Sequence, residues 1–395
     1  MKTGIKIGFW NYVNTGVLDA EKAADDWKDL GMNMPMSFEF DPEKHRSEEM
    51  LSQLDACAKR GMKLIVCDAR TTYSRYAAVG EAAFREGVKE AAAAFGKHPA
   101  FYGFHVGDEP DKNMWHAAER AYTICREETE EMPFINFFPY WDEENFKDVL
   151  GVECAEYEAL IEKFLCKTGA RKFGYDYYGQ CAYFERSRYV DLYFKNLNLF
   201  GRTAMKYGAD LYVSLLSVGH WSLVVPDEDL IRWQISTAIA HGAAGLLWFF
   251  VYERRLDGSF RLPPIDLFWE KTETFPRLSR QNRTLLAYYD EDLSQMDFAG
   301  VKHFGGCFGD TEEFVCGRDI TYIRSIVNPT PLAVSEFTKD GYSSYLVANL
   351  SQKEPTCVEI GCAGGLESSS GMRWIAPGQM VLLLHEKHQR KKGRN

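Results

Sequence analysis

Eight short apolar runs, each followed by a longer amphipathic one, divide the first 295 residues, and this alternation constrains the fold more than any other feature. The runs begin at Ile5 (IKIGFWNYV), Met32 (MNMPMSFEF), Met62 (MKLIVCDAR), Phe101 (FYGFHVGDE), Phe134 (FINFFPYW), Arg171 (RKFGYDYY), Ala209 (ADLYVSLLS) and Ala244 (AGLLWFFVYE). Their length and composition predict strands. Between them lie helical segments such as LDAEKAADDWKDLG and SEEMLSQLDACAKRG, which close on Gly as helix C-termini do. Eight β-then-α units in roughly 250 residues are the count and size of a (β/α)8 barrel, the TIM barrel of the α/β class. A doubly wound open sheet is the weaker alternative, because Gly4, Gly8 and Gly16 do not form GxGxxG after the first strand. Beyond the barrel, 1–295, the pattern changes to β-type runs broken by turns, such as DITYIRSIVNPTP and GMRWIAPGQMVLLLHE. These predict a small C-terminal all-β sandwich over 296–388, followed by a basic disordered tail, 389–395.

A hydrophobic content of 46% against 26% charged supplies a large core, and a net charge of −11 without a basic stripe argues against nucleic acid as a partner. No apolar run approaches the length of a membrane span. The N-terminus reads as a strand rather than a signal peptide, and the 10 cysteines are scattered, several inside predicted helices and strands. A cytoplasmic protein with reduced thiols is expected, and neither a cofactor nor a metal is called for. Nothing in the sequence sets the oligomeric state.

In a barrel enzyme the chemistry sits at the C-terminal ends of the strands. Those positions hold Trp10 and Asn11, Glu39, Asp68, Asp108 and Glu109, Tyr140 and Trp141, Asp176 with Tyr177 and Tyr178, His220 and Trp221, and Trp248 with Glu253. A mouth crowded with carboxylates and aromatic faces suits a carbohydrate, whose C–H faces stack on rings and whose hydroxyls bond to acids. Glycosidic cleavage also needs two carboxyl groups flanking the bond. Glu109 ends an apolar strand while Asp111 is placed to cap the next helix, so Glu109 is expected to be catalytic. Asp108 either orients it or bonds to the adjacent loop. Asp176, an acid among tyrosines, is the second catalytic candidate, whereas Asp68, close to Arg70 and Arg75, reads as a structural ion pair. Glu253 pairs with Arg254 and Arg255 or faces the ligand. His105, in mid-strand, reads as an interior histidine.

The succession GDEP, INFFPYW, FGYDYYG, SLLSVGHW and RWQISTAIAHGAAGLLWFF resembles a group of bacterial glycoside-hydrolase-like barrels, distantly similar to bacterial β-galactosidases and other clan A enzymes. The clan's usual Asn-Glu-Pro on the fourth strand is Asp-Glu-Pro here. The resemblance spans the barrel and implies that Glu109 is the proton donor. It makes Asn136, Tyr178, His220 and Gln234 polar neighbours of a carbohydrate substrate, and Trp248 the platform beneath the sugar. It also places a nucleophilic Glu on the seventh strand, where LYVSLLSVGHW has no acid. Asp176 is then the expected nucleophile or base, with Glu253 and Glu39 as alternatives.

An adjacent Asp-Glu pair on the fourth strand is similar to that of substrate-assisted N-acetylhexosaminidases, in which the Asp holds the acetamido group that attacks internally. A carbohydrate-binding barrel without catalysis is a further reading, supported by the missing seventh-strand acid. A metal-dependent barrel built on Glu39, Asp68, Asp176 and His220 is a third, with no HxH or HExxH spacing behind it.

Overall fold

The computed structural model of the 395-residue chain describes residues 4–13, 19–142, 144–253, 259–366 and 372–389. The first elements are β1 (Lys6–Phe9), α1 (Ala20–Asp29), β2 (Met36–Phe40), α2 (Ser47–Lys59), β3 (Leu64–Asp68), α3 (Tyr73–Phe95), β4 (Phe101–Asp108) and α4 (Trp115–Glu128). There follow β5 (Phe134–Phe137), α5 (Phe146–Leu150), α6 (Tyr157–Thr168), β6 (Lys172–Asp176), α7 (Arg186–Tyr207), β7 (Asp210–Leu216), α8 (Glu228–Ala240), β8 (Gly245–Phe249) and α9 (Thr274–Leu285). Neighbouring strands pair in parallel from β2 round to β8, and β8 returns to β1, so the expected (β/α)8 barrel forms.

Side-chain alternation along the strands sorts the apolar residues into two cores. Trp10, Met36, Ile65, Tyr102, Phe134, Tyr212 and Leu247 fill the barrel interior. Their neighbours, among them Phe9, Val66, Phe104, Ile135, Phe173, Val213 and Trp248, face outward and are buried under the helices. The seam between β1 and β2 is closed by backbone bonds from Asn33 N (3.0 Å) and Met34 N (2.9 Å) to Ile7 O and by one side chain. The Asn33 amide donates to Ile5 O (2.8 Å) while its oxygen accepts from Ile7 N (2.8 Å). The backbone approaches so closely there that a Cβ on Gly8 would lie 2.0 Å from Met34 O, which only glycine avoids.

The C-terminal region holds β9 (Asp297–Phe304), β10 (Ile320–Val327), β11 (Leu332–Lys339), β12 (Tyr342–Asn349), β13 (Thr356–Cys362), β14 (Met372–Ile375) and β15 (Met380–Leu383). They form two antiparallel sheets, β10-β13-β14 and β15-β12-β11-β9. Ile323, Val334, Val347, Val358, Ile360 and Leu383 share a core drawn from both sheets, which makes this a sandwich. It docks on the barrel through α7 and α8. Trp233 Nε1 donates to Leu350 O (2.8 Å), Ser335 Oγ to Ala240 O (2.6 Å) and Asn198 Nδ2 to Thr311 Oγ1 (2.7 Å). Apart from Gln389, the basic tail expected over 389–395 lies outside the described residues. No described helix is long and apolar enough to cross a membrane.

Because Asn33 satisfies backbone groups on one side of the seam with both ends of its amide, Asn33→Ala is expected to lower unfolding free energy by about 1–3 kcal/mol. The midpoint of urea unfolding measures this.

Candidate active site

The C-terminal end of β4 is shaped by what precedes Glu109. Gly107 has φ 147°, and a Cβ there would come within 2.3 Å of the Tyr73 ring. The Tyr73 hydroxyl donates to the Asp108 carbonyl, holding the last strand residue against the start of α3. Glu109 then turns into the left-handed region at φ 49°. For a side chain of this kind that conformation costs about 1–2 kcal/mol. It is held by a hydrogen bond from Glu109 N to Asn136 O (2.9 Å). Asp111 closes the turn that leads into α4, its Oδ1 accepting from Asn113 N (2.8 Å) and Met114 N (3.0 Å), whereas the helix N-cap itself is Met114, with no side-chain cap, so the expected helix cap is a turn cap. Glu109 is therefore free of it.

Parallel register carries the construction across three strands. Asp108 lies opposite Asn136, Asn136 opposite Gly174, and Asp176 two residues further along β6 on the same face. Asn136 is fully buried, and its Nδ2 donates to Asp108 Oδ1 (3.0 Å) and to Asp176 Oδ1 (2.9 Å). The Glu109 carboxyl in turn donates to Asp176. Of Asp176, Glu253 and Glu39, the acid that Glu109 meets is thus Asp176.

This cluster holds protons at neutral pH. Burial, then the charges of Asp176 and Asp108, push the Glu109 carboxyl up to about 9. Burial and the Asp108 charge push Asp176 up to about 7, against the bonds it accepts from Asn136 and Glu109. Asp108 is also raised, by burial, with the Asn136 amide opposing. Asp108 is exposed at the mouth, yet protein surrounds it on most sides, and a carboxylate at the floor of a concave site loses much of its hydration even where water can touch it.

Aromatic residues frame the acids. Tyr178 is paired with Ser214, and its ring centroid lies 5.3 Å from Phe249. Trp10 is only 4% exposed and donates from Nε1 to Ser214 Oγ (2.9 Å), so it lies beneath the surface. Tyr12, stacked on it at 6.4 Å, forms the surface with Phe249. Asn11 is buried, its Oδ1 accepting from Val13 N (3.1 Å), which holds the loop after β1. His220 is sandwiched between Trp221 (4.1 Å) and Phe260 (4.4 Å), with Phe249 at 5.9 Å. His105 packs in the interior against Trp10 and Phe134, and burial lowers its pKa to about 4.

Several expectations are corrected. Trp248 is fully buried on the outer face of β8, with Nε1 donating to Asn282 Oδ1 of α9 (3.1 Å). It cannot be the platform, because one residue along a strand reverses the side-chain direction and Phe249 is the inward neighbour. Gln234 is fully buried behind β7, where it accepts from Leu216 N (2.8 Å) and donates to Leu216 O (3.0 Å), so it holds the strand end rather than a ligand. Glu253 is raised by burial and by its neighbour Asp266 rather than by the cluster, and Arg254 and Arg255 lie outside the described residues. Glu39 is exposed at the end of β2, opposite Cys67. Asp68 is bound by Arg70 (2.8 Å), and among the described residues no three His, Cys, Asp or Glu side chains are arranged to hold a metal ion. Tyr73, Ser214 and Phe249 had no sequence signal of their own, since each becomes part of the site only through strand register.

A cavity of about 550 Å³ lies at the other end of the barrel, against Ile5, Asp210, Ala244 and Phe298, remote from these acids. A cleft of about 480 Å³ opens directly beside Glu109.

The raised carboxyls link stability to pH. Each folded-state pKa lies above the unfolded one, so the folded chain binds more protons and its stability falls as pH rises from the ordinary carboxyl range toward the folded values. Asp108→Asn removes one of the opposed charges while leaving an acceptor for Asn136. It is expected to raise Tm by roughly 1–2 °C at pH 8, the size of about 1 kcal/mol, with the gain vanishing near pH 4. Differential scanning calorimetry at both pH values measures it.

No protein-family model and no curated protein matches the sequence. Solved structures do. The β-galactosidase of the psychrophilic Marinomonas ef1 is 12% identical with a TM-score of 0.51, over 71% of this chain and 59% of that one. GH5_18 of Streptomyces cattleya in complex with GlcNAc is 13% identical with a TM-score of 0.51, over 73% and 82%. Gas2p of Saccharomyces cerevisiae in complex with laminaritetraose and laminaripentaose is 14% identical with a TM-score of 0.51, over 71% and 63%. The chain thus spans less than two thirds of the β-galactosidase and of Gas2p. At these identities the likeness is one of architecture: the barrel shares its fold with that of TIM-barrel glycoside hydrolases.

Proposed function

We propose that the chain hydrolyses glycosides, with Glu109 as proton donor and Asp176 as the carboxylate that meets the charge developing at the anomeric carbon. The observation that carries this reading is Glu109 beside an open cleft, its pKa raised by burial and by two neighbouring acids, one of which, Asp176, it meets in hydrogen-bond contact. Two acids whose surroundings separate their protonation states make an acid–base pair. Glu109 gives its proton to the glycosidic oxygen, the bond from that oxygen to the anomeric carbon breaks, and the leaving group departs as an alcohol. Asp176 stabilises or attacks the anomeric carbon. Water then supplies its hydroxyl to that carbon and its proton to the Glu109 carboxylate, which restores the starting state. Asn136 positions Asp176, while Tyr12 and Phe249 offer the sugar its flat apolar surface.

One observation favours a second reading. Retaining enzymes keep their carboxyl groups about 5–5.5 Å apart and inverting ones about 6.5–9.5 Å, whereas Glu109 and Asp176 are in hydrogen-bond contact. With no acid in β7 beyond Asp210 at its start, Asp108 and Asp176 also suit a substrate that brings its own acetamido nucleophile. Turnover confined to N-acetylhexosaminides selects this route. Equal turnover of the parent hexosides selects attack by Asp176 or water.

Ten unpaired cysteines, four of them buried, fit work in a reducing compartment such as the cytoplasm.

Glu109→Gln is expected to lower kcat on unactivated glycosides by about 10²–10⁴-fold while dinitrophenyl glycosides, which need no proton, are far less affected. For the wild type, kcat/KM rises as the pair loses its first proton near pH 7 and falls as it loses its second near pH 9. The alkaline limb disappears in Glu109→Gln. Full activity of that variant on unactivated substrates sinks the proposal.

A further inference from the structure

The cleft beside Glu109 lies over β4, β5 and β6, across the barrel from the surface that Tyr12 and Phe249 form next to β1 and β8. Of the three clustered carboxyls, only Glu109 lines it. The rest of its wall is largely apolar: Phe138, Trp141, Tyr177 and Tyr189 supply rings, and Val149 and Leu192 supply aliphatic surface. Two polar side chains at its rim are engaged with neighbours. Asp142 pairs with Arg188 (3.0 Å), and Asn145 Oδ1 accepts from Trp141 Nε1 (2.8 Å). That bond also fixes the Trp141 ring, which packs on Phe146 at 4.6 Å. At about 480 Å³ the cleft falls within the roughly 300–1,000 Å³ of pockets that bury small organic ligands.

A further sugar unit needs hydrogen-bonding partners for several hydroxyl groups as well as a ring to stack on, and burying those hydroxyls against aromatic and aliphatic walls is costly. A flat apolar group carries no such penalty and gains from every ring it covers. We infer that this cleft receives the leaving group of the substrate, and that the leaving group is an aromatic or similarly flat apolar aglycone rather than another sugar. This rests on the reading of Glu109 as proton donor, because the donor marks where the departing oxygen must sit. Trp141 and Tyr189 are then binding residues that set aglycone specificity.

The test uses the full chain and alkyl glycosides whose leaving alcohols have nearly equal acidity, so that chemistry is held constant while apolar area changes. Methyl, benzyl and 2-naphthylmethyl glycosides of galactose, glucose and N-acetylglucosamine are compared with the corresponding disaccharides. KM is expected to fall at least tenfold from the methyl to the naphthylmethyl compound, with the disaccharide close to methyl. Trp141→Ala and, independently of any folding defect in that variant, Tyr189→Ala are expected to narrow the ratio to under threefold. Turnover with equal KM across the series, or a preference for the disaccharide, overturns the inference and leaves Glu109 as donor. If no glycoside is turned over, the donor reading fails, and binding of 2-naphthylmethanol alone decides the cleft. Binding that Trp141→Ala weakens at least tenfold supports an apolar aromatic ligand, and no detectable binding overturns it.

Discussion

The two hydrogen bonds donated by the Asn136 amide hold the candidate site together. Its two N–H groups reach Asp108 at 3.0 Å and Asp176 at 2.9 Å, on strands to either side of its own. Without that donor pair, two carboxyls would face one another in a poorly hydrated mouth, and each would be driven to neutralise or turn away. The amide can serve both because parallel pairing brings Asp108, Asn136 and the residue below Asp176 level. Gly174 leaves room for its carbonyl side, where a Cβ would lie 3.0 Å from Asn136 Oδ1. Asn136 has no spare N–H for Glu109, so Glu109 keeps its own proton and donates to Asp176.

This arrangement opposes stability and is sustained by the barrel around it. Left-handed backbone at Glu109 and three acids raised by burial both cost free energy. The offset is the packed interior of Trp10, Phe134, Tyr212 and their neighbours, and the outer core beneath the helices. Such strain gathers where a scaffold is rigid enough to hold groups ready for a reaction. The aromatic cleft opens on Glu109, the acid proposed as proton donor, so under that proposal the cluster's electrostatics and the shape of the mouth point to the same departing oxygen.

Much of this was legible in the sequence, and the remainder was hidden for one reason. Eight strands, the sandwich and the exceptional end of FYGFHVGDEPD follow from local pattern, because strand length, turn residues and a charged ending are local properties. Asp111 as the acid that closes the turn before α4, and Asp68 as ion pair, are local too. Which way a side chain faces is not. In LLWFF every position is apolar, so nothing in the string says that Trp248 turns outward to Asn282 while Phe249 turns in. Gln234, which the resemblance set beside the ligand, faces the end of β7 from behind and bonds to it. The role of Ser214 beneath Trp10 likewise follows only from register between β6 and β7.

The central claim is that Glu109 stays protonated at neutral pH because it is buried and because Asp176 and Asp108 face it. The most direct measurement is a carbon-13 NMR titration of glutamate side-chain carboxyls, with Glu109 assigned by its loss in Glu109→Gln. The account predicts that its signal keeps the chemical shift of the protonated acid through pH 7 and moves only toward pH 9. A signal that titrates in the ordinary glutamate range, near 4.5, contradicts it.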